Sequence, residues 1–251
     1  VVLTVEGPVR TLLTAERTML NLVSQLSGVA TATAAWVDAL AGSPTKVRDT
    51  RKTVPGLRVL QKYAVRCGGG VNHRMGLGDA ALVKDNHIAA AGSVAAALAA
   101  VHRHAPEVDC EVECDRLDQV SEAIEAGAQL VLLDNMSPDL MAQAVALARP
   151  AGVRTEASGG LRLDDAPAVA ATGVDFVAVG ALTHSAPVLD LGLDLLDQER
   201  QRQLEAEAAS MKASATWHSA EAIQTARECC GGAGYMAANQ IAIIRDDHDV
   251  F

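Results

Sequence analysis

Residues 110–135 read CEVECDRLDQVSEAIEAGAQLVLLDN. Cys110–Cys114 and Leu130–Asp134 are short apolar runs that suit strands, and the stretch from Leu117 to Ala126 between them suits a helix. The same strand–helix unit recurs on either side. Upstream, strands are expected at Lys46–Asp49 and Ala81–Lys84, with helices near Arg58–Cys67 and Ser93–His104. Downstream, strands at Arg154–Ala157 and Asp175–Gly180 alternate with helices at Pro138–Ala148 and Ala166–Thr172. A repeated βα unit implies a parallel sheet covered by helices, either an open doubly wound sheet or a barrel.

The strand ends favour the barrel. Asp49, Lys84, Cys114, Asp134, Ser158 and Gly180 close the six strands, and all are polar, charged or glycine. A barrel gathers the C-terminal ends of its strands around one mouth, where its chemistry is found. Six strands imply an incomplete α/β (TIM-like) barrel. Ahead of it, Val1–Val5 suggests a strand. A helix is expected from Thr14, as N-cap, through Leu20, Val23 and Leu26, with an interruption at Gly28 and a second helical stretch over Thr31–Leu40. Beyond Leu195 the rhythm stops, and LDQERQRQLEAEAASMKASATWHSAEAIQTARECC is a charge-rich helical pattern. The expected organisation is a partial N-terminal α/β domain over residues 1–42, the barrel over 43–195 and a helical C-terminal tail over 196–251.

Composition limits the function. Apolar residues make up 49% of the 251 and aromatics only 2%, so the core is built from Ala, Val, Leu and Ile. The formal net charge of −10 opposes nucleic acid and anionic membranes, so an anionic substrate requires a local basic cluster. Five cysteines, an odd number without CxxC pairing, suggest a reduced, cytoplasmic protein. No apolar run approaches the roughly 20 residues that span a bilayer. The chain begins without Met, in VVLTV, and the natural N-terminus is expected to lie further upstream.

Four clusters carry the chemistry. RDTRKT, residues 48–53, follows the first strand and would place Arg51 and Lys52 at the mouth. Arg grips carboxylate or phosphate with two parallel hydrogen bonds and Lys acts as a compact point charge; the plain alternative is a solvated basic loop. CGGGVNHRMGLGDAALVKDNHI, residues 67–88, holds three consecutive glycines, Asn72, His73, Arg74 and a strand closed by Lys84. Glycines let backbone approach a ligand, although for Gly68–Gly70 alone a flexible loop is the ordinary explanation. A Lys closing an apolar strand is costly unless an anion pairs with it. His87 is as well explained as a capping residue. Glu113 and Asp134 are carboxylates at adjacent strand ends, suited to a divalent metal or sugar hydroxyls, or to helix capping. EASGG (156–160) and VGALTHS (179–185) follow the last two strands, where barrels build phosphate sites. Together they suggest a small di-anion beside a phosphorylated sugar.

The segments AERTMLNLVSQLSGVAT, RDTRKTVPGLRVLQKYAV, GGGVNHRMGLGDAALVKDNHI, EVECD, LLDNM, EASGG and VGALTHS resemble quinolinate phosphoribosyltransferases in order and spacing, over residues 1–195. The resemblance implies an enzyme that joins quinolinate to phosphoribosyl pyrophosphate with Mg²⁺, releasing CO₂ and pyrophosphate and forming nicotinate mononucleotide. Position by position, it implies that Arg51, His73, Arg74 and Lys84 bind quinolinate and phosphate, with Lys52 near the pyrophosphate. It implies that Glu113 and Asp134 face the ribose hydroxyls and metal, and that Ser158, Gly159 and Gly180 hold the 5′-phosphate. Arg17 matches an arginine lent to a neighbouring subunit, which implies a homodimer. A related decarboxylating or nucleobase phosphoribosyltransferase, or an inactive truncated or fused fragment, is the alternative. The tail segment ATWHSAEAIQTARECCGGAGYMAANQIAIIRDDHDVF (215–251) resembles acyl-CoA oxidases and dehydrogenases. In that family GGAGY lies near the flavin, and the catalytic glutamate comes after the position of Phe251. The chain stops before that glutamate, so the tail is expected to be an inert helical appendage, with a flavoprotein fragment as the alternative.

Overall fold

A computed structural model describes residues 2–194. The tail expected from residue 196, with its GGAGY loop, lies outside the described residues.

Six parallel strands form one sheet: β1 (Lys46–Arg48), β2 (Ala81–Val83), β3 (Cys110–Cys114), β4 (Leu130–Asp134), β5 (Arg154–Ser158) and β6 (Phe176–Ala178). The spatial order is β1-β6-β5-β4-β3-β2. Strands β2 to β6 therefore follow one another around an arc, and the first strand lies beside the last. That circular order is a barrel's; a doubly wound sheet reverses direction at a switch point. The gap falls between β1 and β2. It is partly filled by Val71, which bridges to Arg48 in parallel, its amide donating to the Val47 carbonyl at 2.9 Å.

Side-chain alternation sorts the strands into two faces. Val112, Cys114, Val131, Leu133, Ala157 and Val177 are fully buried. By alternation they form the outer face, toward helices α2 (Arg58–Cys67), α4 (Val94–His104), α5 (Leu117–Glu125), α6 (Pro138–Ala148) and α7 (Ala166–Ala171). The inner face carries Glu111, Glu113, Leu132, Asp134, Glu156 and Ser158, with Glu113 opposite Leu132, Leu132 opposite Glu156, and Asp134 opposite Ser158. Two helices start on serine caps: Ser93 Oγ accepts from the Ala96 amide at 3.1 Å, and Ser137 Oγ from the Leu140 amide at 3.4 Å. Ser137 thus caps α6, in place of the capping alternative considered for Asp134.

Several expectations need correction. Residues 2–5 form no strand and make no ladder. The helix α1 runs unbroken over Val9–Ala39, through Gly28. A single glycine costs a helix only about 1 kcal/mol, and the buried stripe of Val29, Thr33 and Trp36 that starts directly after Gly28 outweighs it. Thr14 lies inside α1, its hydroxyl donating to the Arg10 carbonyl at 2.8 Å, so it is no N-cap. Two short helices were unexpected: α3 (Asp85–Ala91) and α8 (Ala181–His184). In α3 the polar DNH start reads as loop, and its second turn is almost all alanine, so there is little periodicity to detect.

The glycine run also serves packing. A Cβ on Gly68 would lie 2.4 Å from the Ala30 carbonyl oxygen and 2.6 Å from Thr33 Cβ. One on Gly70 would lie 2.7 Å from Thr33 Cγ2. These glycines let the loop press against α1, rather than admit a ligand to the backbone.

By its contacts the chain divides into a compact unit over Ser27–Pro187, which holds the barrel, and a second unit to which residues 2–26 and 188–194 belong. In the second unit the Leu189 amide donates to the Ser24 carbonyl at 3.2 Å. No helix among the described residues is long and apolar enough to cross a membrane.

Candidate active site

The C-terminal ends of the strands bring most of the expected residues to one rim. Lys84 follows β2, Glu113 and Asp134 lie on β3 and β4, Ser158 ends β5, and Gly180 follows β6. Lys84 Nζ sits 2.7 Å from Glu113 Oε2. One oxygen of Asp134 accepts from Asn135 Nδ2 at 2.7 Å. Asn135 adopts a left-handed φ of 54°, and Gly159 one of +101°. A Cβ on Gly159 would lie 2.3 Å from Asn135 Oδ1, so the turns after β4 and β5 touch through this glycine.

The loop after β1 is tied to the loop after β6. Thr183 Oγ1 donates to the Lys52 carbonyl at 2.9 Å, and Gln61 Nε2 donates to the Thr183 carbonyl at 2.6 Å. Gln61 Oε1 in turn accepts from the Val54 amide at 2.9 Å. Lys52 Cδ would be 3.3 Å from a Cβ at Gly180, so its stem lies across the expected phosphate loop. The backbone beside Arg51 is held by Arg58, which donates to the Arg51 carbonyl at 3.4 Å. Arg51 Nε is buried without a hydrogen-bond partner. A buried cationic donor left open is costly, and an anionic ligand removes that cost.

His73 and Arg74 enter from the gap between β1 and β2, deeper than the rim. With Arg48, Glu111, Cys110 and Arg154 they line a cavity of about 120 Å³ reaching toward the starts of β3–β5. Arg74 donates to the Ala80 carbonyl at 2.8 Å. His73 Nδ1 accepts from the Arg74 amide at 2.7 Å, which places the proton of the neutral ring on Nε2. Nε2 faces Glu111 Oε2 at 2.8 Å and Glu156 Oε1 at 3.5 Å. The second contact is a charge proximity only, because Glu156 Oε1 has no hydrogen-bond partner. Arg48 donates to Glu156 Oε2 at 2.5 Å. Burial, then the neighbouring Glu111, pushes the Glu156 carboxyl up to about 7, against the pull of Arg48 and His73.

One nitrogen and two carboxylates of His73, Glu111 and Glu156 lie within 4.8 Å of one another, which resembles a metal site. The hydrogen bonds argue otherwise. A metal on Nε2 would displace its proton while Nδ1 still accepts from Arg74, which would require an imidazolate. Arg48 already supplies the positive charge beside Glu156. The cluster is a hydrogen-bonded charge network.

The rim carboxylates suit a hard cation better. Glu113 and Asp134 each engage one oxygen with a protein partner and leave the other without one among the described residues. Mg²⁺ takes one or two such carboxylates together with substrate phosphates. Arg17 is exposed on α1, in the second unit. His87 caps α3, its Nδ1 accepting from the Lys84 amide at 2.9 Å.

Sequence reasoning missed Glu111, Glu156, Gln61 and Lys62. Strand alternation held the signal for two of them, since Glu111 shares its face with Glu113 and Glu156 with Ser158. Lys62 lies three residues before Val65 on the buried stripe of α2.

Residues 29–194 match the family of the quinolinate phosphoribosyl transferase C-terminal domain. The nicotinate-nucleotide pyrophosphorylase (carboxylating) of Mycobacterium leprae is 59% identical over 196 residues, covering 77% of this chain and 69% of that protein. The chain belongs to the quinolinate phosphoribosyltransferase family. The human enzyme of the same name is 43% identical over 200 residues, covering 78% of this chain and 67% of its own. The crystal structure of NadC from Streptococcus pyogenes superposes with a TM-score of 0.71 at 47% identity, over 76% of this chain and 68% of that one. The family likeness therefore covers the barrel and the helix before it. Residues 182–251 match a different family, the acyl-CoA oxidase C-alpha1 domain.

Proposed function

We propose that this chain transfers a phosphoribosyl group from phosphoribosyl pyrophosphate to quinolinate with decarboxylation, giving nicotinate mononucleotide, CO₂ and pyrophosphate for NAD biosynthesis. The observation that carries the reading is the rim itself: an unpartnered Arg51 donor, Lys52 over Gly180, and Lys84 beside Glu113. These cations answer a net charge of −10 that would otherwise repel both substrates.

The chemistry follows from charge placement. Arg51, Arg74 and Lys84 hold the two carboxylates of quinolinate, with His73 completing the inner wall. Ser158, Gly159 and Gly180 take the 5′-phosphate. The bond from the anomeric carbon to pyrophosphate breaks with its electron pair on the leaving oxygen. The ribose becomes oxocarbenium-like, and Glu113 and Asp134 stabilise that positive charge while Lys52 stabilises the departing pyrophosphate. The quinolinate nitrogen then bonds to the anomeric carbon. Its positive ring accepts the electron pair released when the adjacent carboxylate leaves as CO₂, and a solvent proton takes that position. Glu113 and Asp134 would hold Mg²⁺, which would supply charge neutralisation for the leaving pyrophosphate. Positioning and electrostatics do the work, without a general base.

Arg17, exposed on α1, is proposed to reach the site of a second copy, which makes the working unit a homodimer in the cytoplasm. The substrate assignment is tested by offering quinolinate and nicotinate separately with phosphoribosyl pyrophosphate and Mg²⁺. Quinolinate alone should yield the mononucleotide. Equal use of nicotinate contradicts the di-acid reading.

A further inference from the structure

We infer that the buried Lys62–Asp49 ion pair, which lies behind the barrel wall, is the positioning element that aims His73 and Arg74 at quinolinate. The inference rests on the proposed function for its substrate.

Both side chains are fully buried and paired with each other. Lys62 comes from α2 and Asp49 from the residue after β1. Lys62 Nζ also donates to the His73 carbonyl at 2.8 Å, and Asp49 Oδ1 accepts from the His73 amide at 3.0 Å. One ion pair thus holds both backbone polar groups of one residue. Asn72 is fixed by the same two residues, its Nδ2 donating to Asp49 Oδ2 at 2.5 Å and to the Lys62 carbonyl at 2.9 Å. Arg74 follows, because its amide donates to His73 Nδ1.

The segment needs such a clamp. It fills the gap between β1 and β2 with a single bridge at Val71 and no ladder beyond it. A loop that presents an imidazole and a guanidinium to a di-anion, without strand pairing at residues 72–74, takes its course there from side-chain hydrogen bonds. Burying an ion pair is a poor route to stability, since an apolar pair of similar volume often does as well. Its use here is direction: two charges and their hydrogen bonds specify one backbone course for residues 72–74.

The test uses the full 251-residue chain. The double variant Asp49→Asn/Lys62→Met removes both charges while keeping side-chain volume close, so the barrel is expected to fold. KM for quinolinate should rise about tenfold or more, the equivalent of about 1.4 kcal/mol, with KM for phosphoribosyl pyrophosphate little changed. Independently of turnover, amide hydrogen exchange at His73 and Arg74 should accelerate relative to Leu132 in β4. A purely structural role predicts equal acceleration at all three amides and no selective change in KM, and either result overturns the inference. If the double variant does not fold, Asp49→Asn alone is read by the same exchange ratio. Absence of turnover in the unaltered chain contradicts the substrate assignment, while the exchange ratio still decides whether the clamp exists.

Discussion

Replacing Lys84 with methionine separates binding from stability. The Lys84 side chain is 47% exposed and its only ion-pair partner among the described residues is Glu113, at 2.7 Å. A pair this open to solvent contributes about 0.2–1 kcal/mol to stability once screening and side-chain entropy are counted. Methionine keeps the aliphatic stem, so the melting temperature should fall by only a few degrees. Binding is another matter. If Lys84 donates to a carboxylate of quinolinate, its loss removes a charge-assisted hydrogen bond worth about 1.5–3 kcal/mol. That is about 10- to 150-fold in Kd. Freeing Glu113 from Lys84 adds negative charge near the same ligand and moves affinity in the same direction. Calorimetric titration with quinolinate, and separately with phosphoribosyl pyrophosphate and Mg²⁺, reads both arms. The loss should fall on quinolinate. Equal losses for the two ligands, or unchanged quinolinate affinity in a folded variant, would refute it.

Glu156 predicts a pH dependence. Its folded-state carboxyl titrates at about 7, above the ordinary value of 4.5, so the folded state binds that proton more readily than the unfolded chain does. The stabilisation is full below about 4.5 and is lost as pH rises through about 7, so urea midpoints should fall between pH 5 and 8. Glu156→Gln should flatten that slope, and an unchanged slope would show that another group sets it. Gly68→Ala forces a methyl into the Ala30 carbonyl and Thr33 and should cost about 1–3 kcal/mol; Gly78→Ala, with nothing within 4 Å, is the control in the same melts. Deleting residues 198–251 should leave phosphoribosyl transfer intact and the purified protein colourless with flavin, whereas lost turnover in a folded deletion, or retained flavin, would give the acyl-CoA oxidase-like tail a role.

The barrel was legible because its strands alternate with helices at regular spacing and end in chemically distinct residues. Lys84, Glu113, Asp134, Ser158 and Gly180 could be placed on one rim from that pattern alone. What lay behind the rim could not. Lys62 and Asp49 are 13 residues apart and meet only when α2 packs against the end of β1. Arg48 and Glu156 are 108 residues apart and meet because the last strand pairs with the first, which brings β5 within reach of β1. Such contacts depend on how elements pack and pair in three dimensions, and local periodicity carries no record of it. The glycines at 68 and 70 were misread for the same reason: their partners, Ala30 and Thr33, sit on a helix over 30 residues upstream. The break expected at Gly28 failed differently, because tertiary packing outweighed a weak local preference.

The central claim is that one site couples sugar transfer to decarboxylation. Its most direct test supplies the unaltered chain with quinolinate labelled in the carboxylate next to the ring nitrogen, together with phosphoribosyl pyrophosphate and Mg²⁺. Labelled CO₂ and pyrophosphate should appear in equal amounts, and neither should form when either substrate is withheld. Pyrophosphate released without CO₂, or CO₂ released without phosphoribosyl pyrophosphate, would contradict the account.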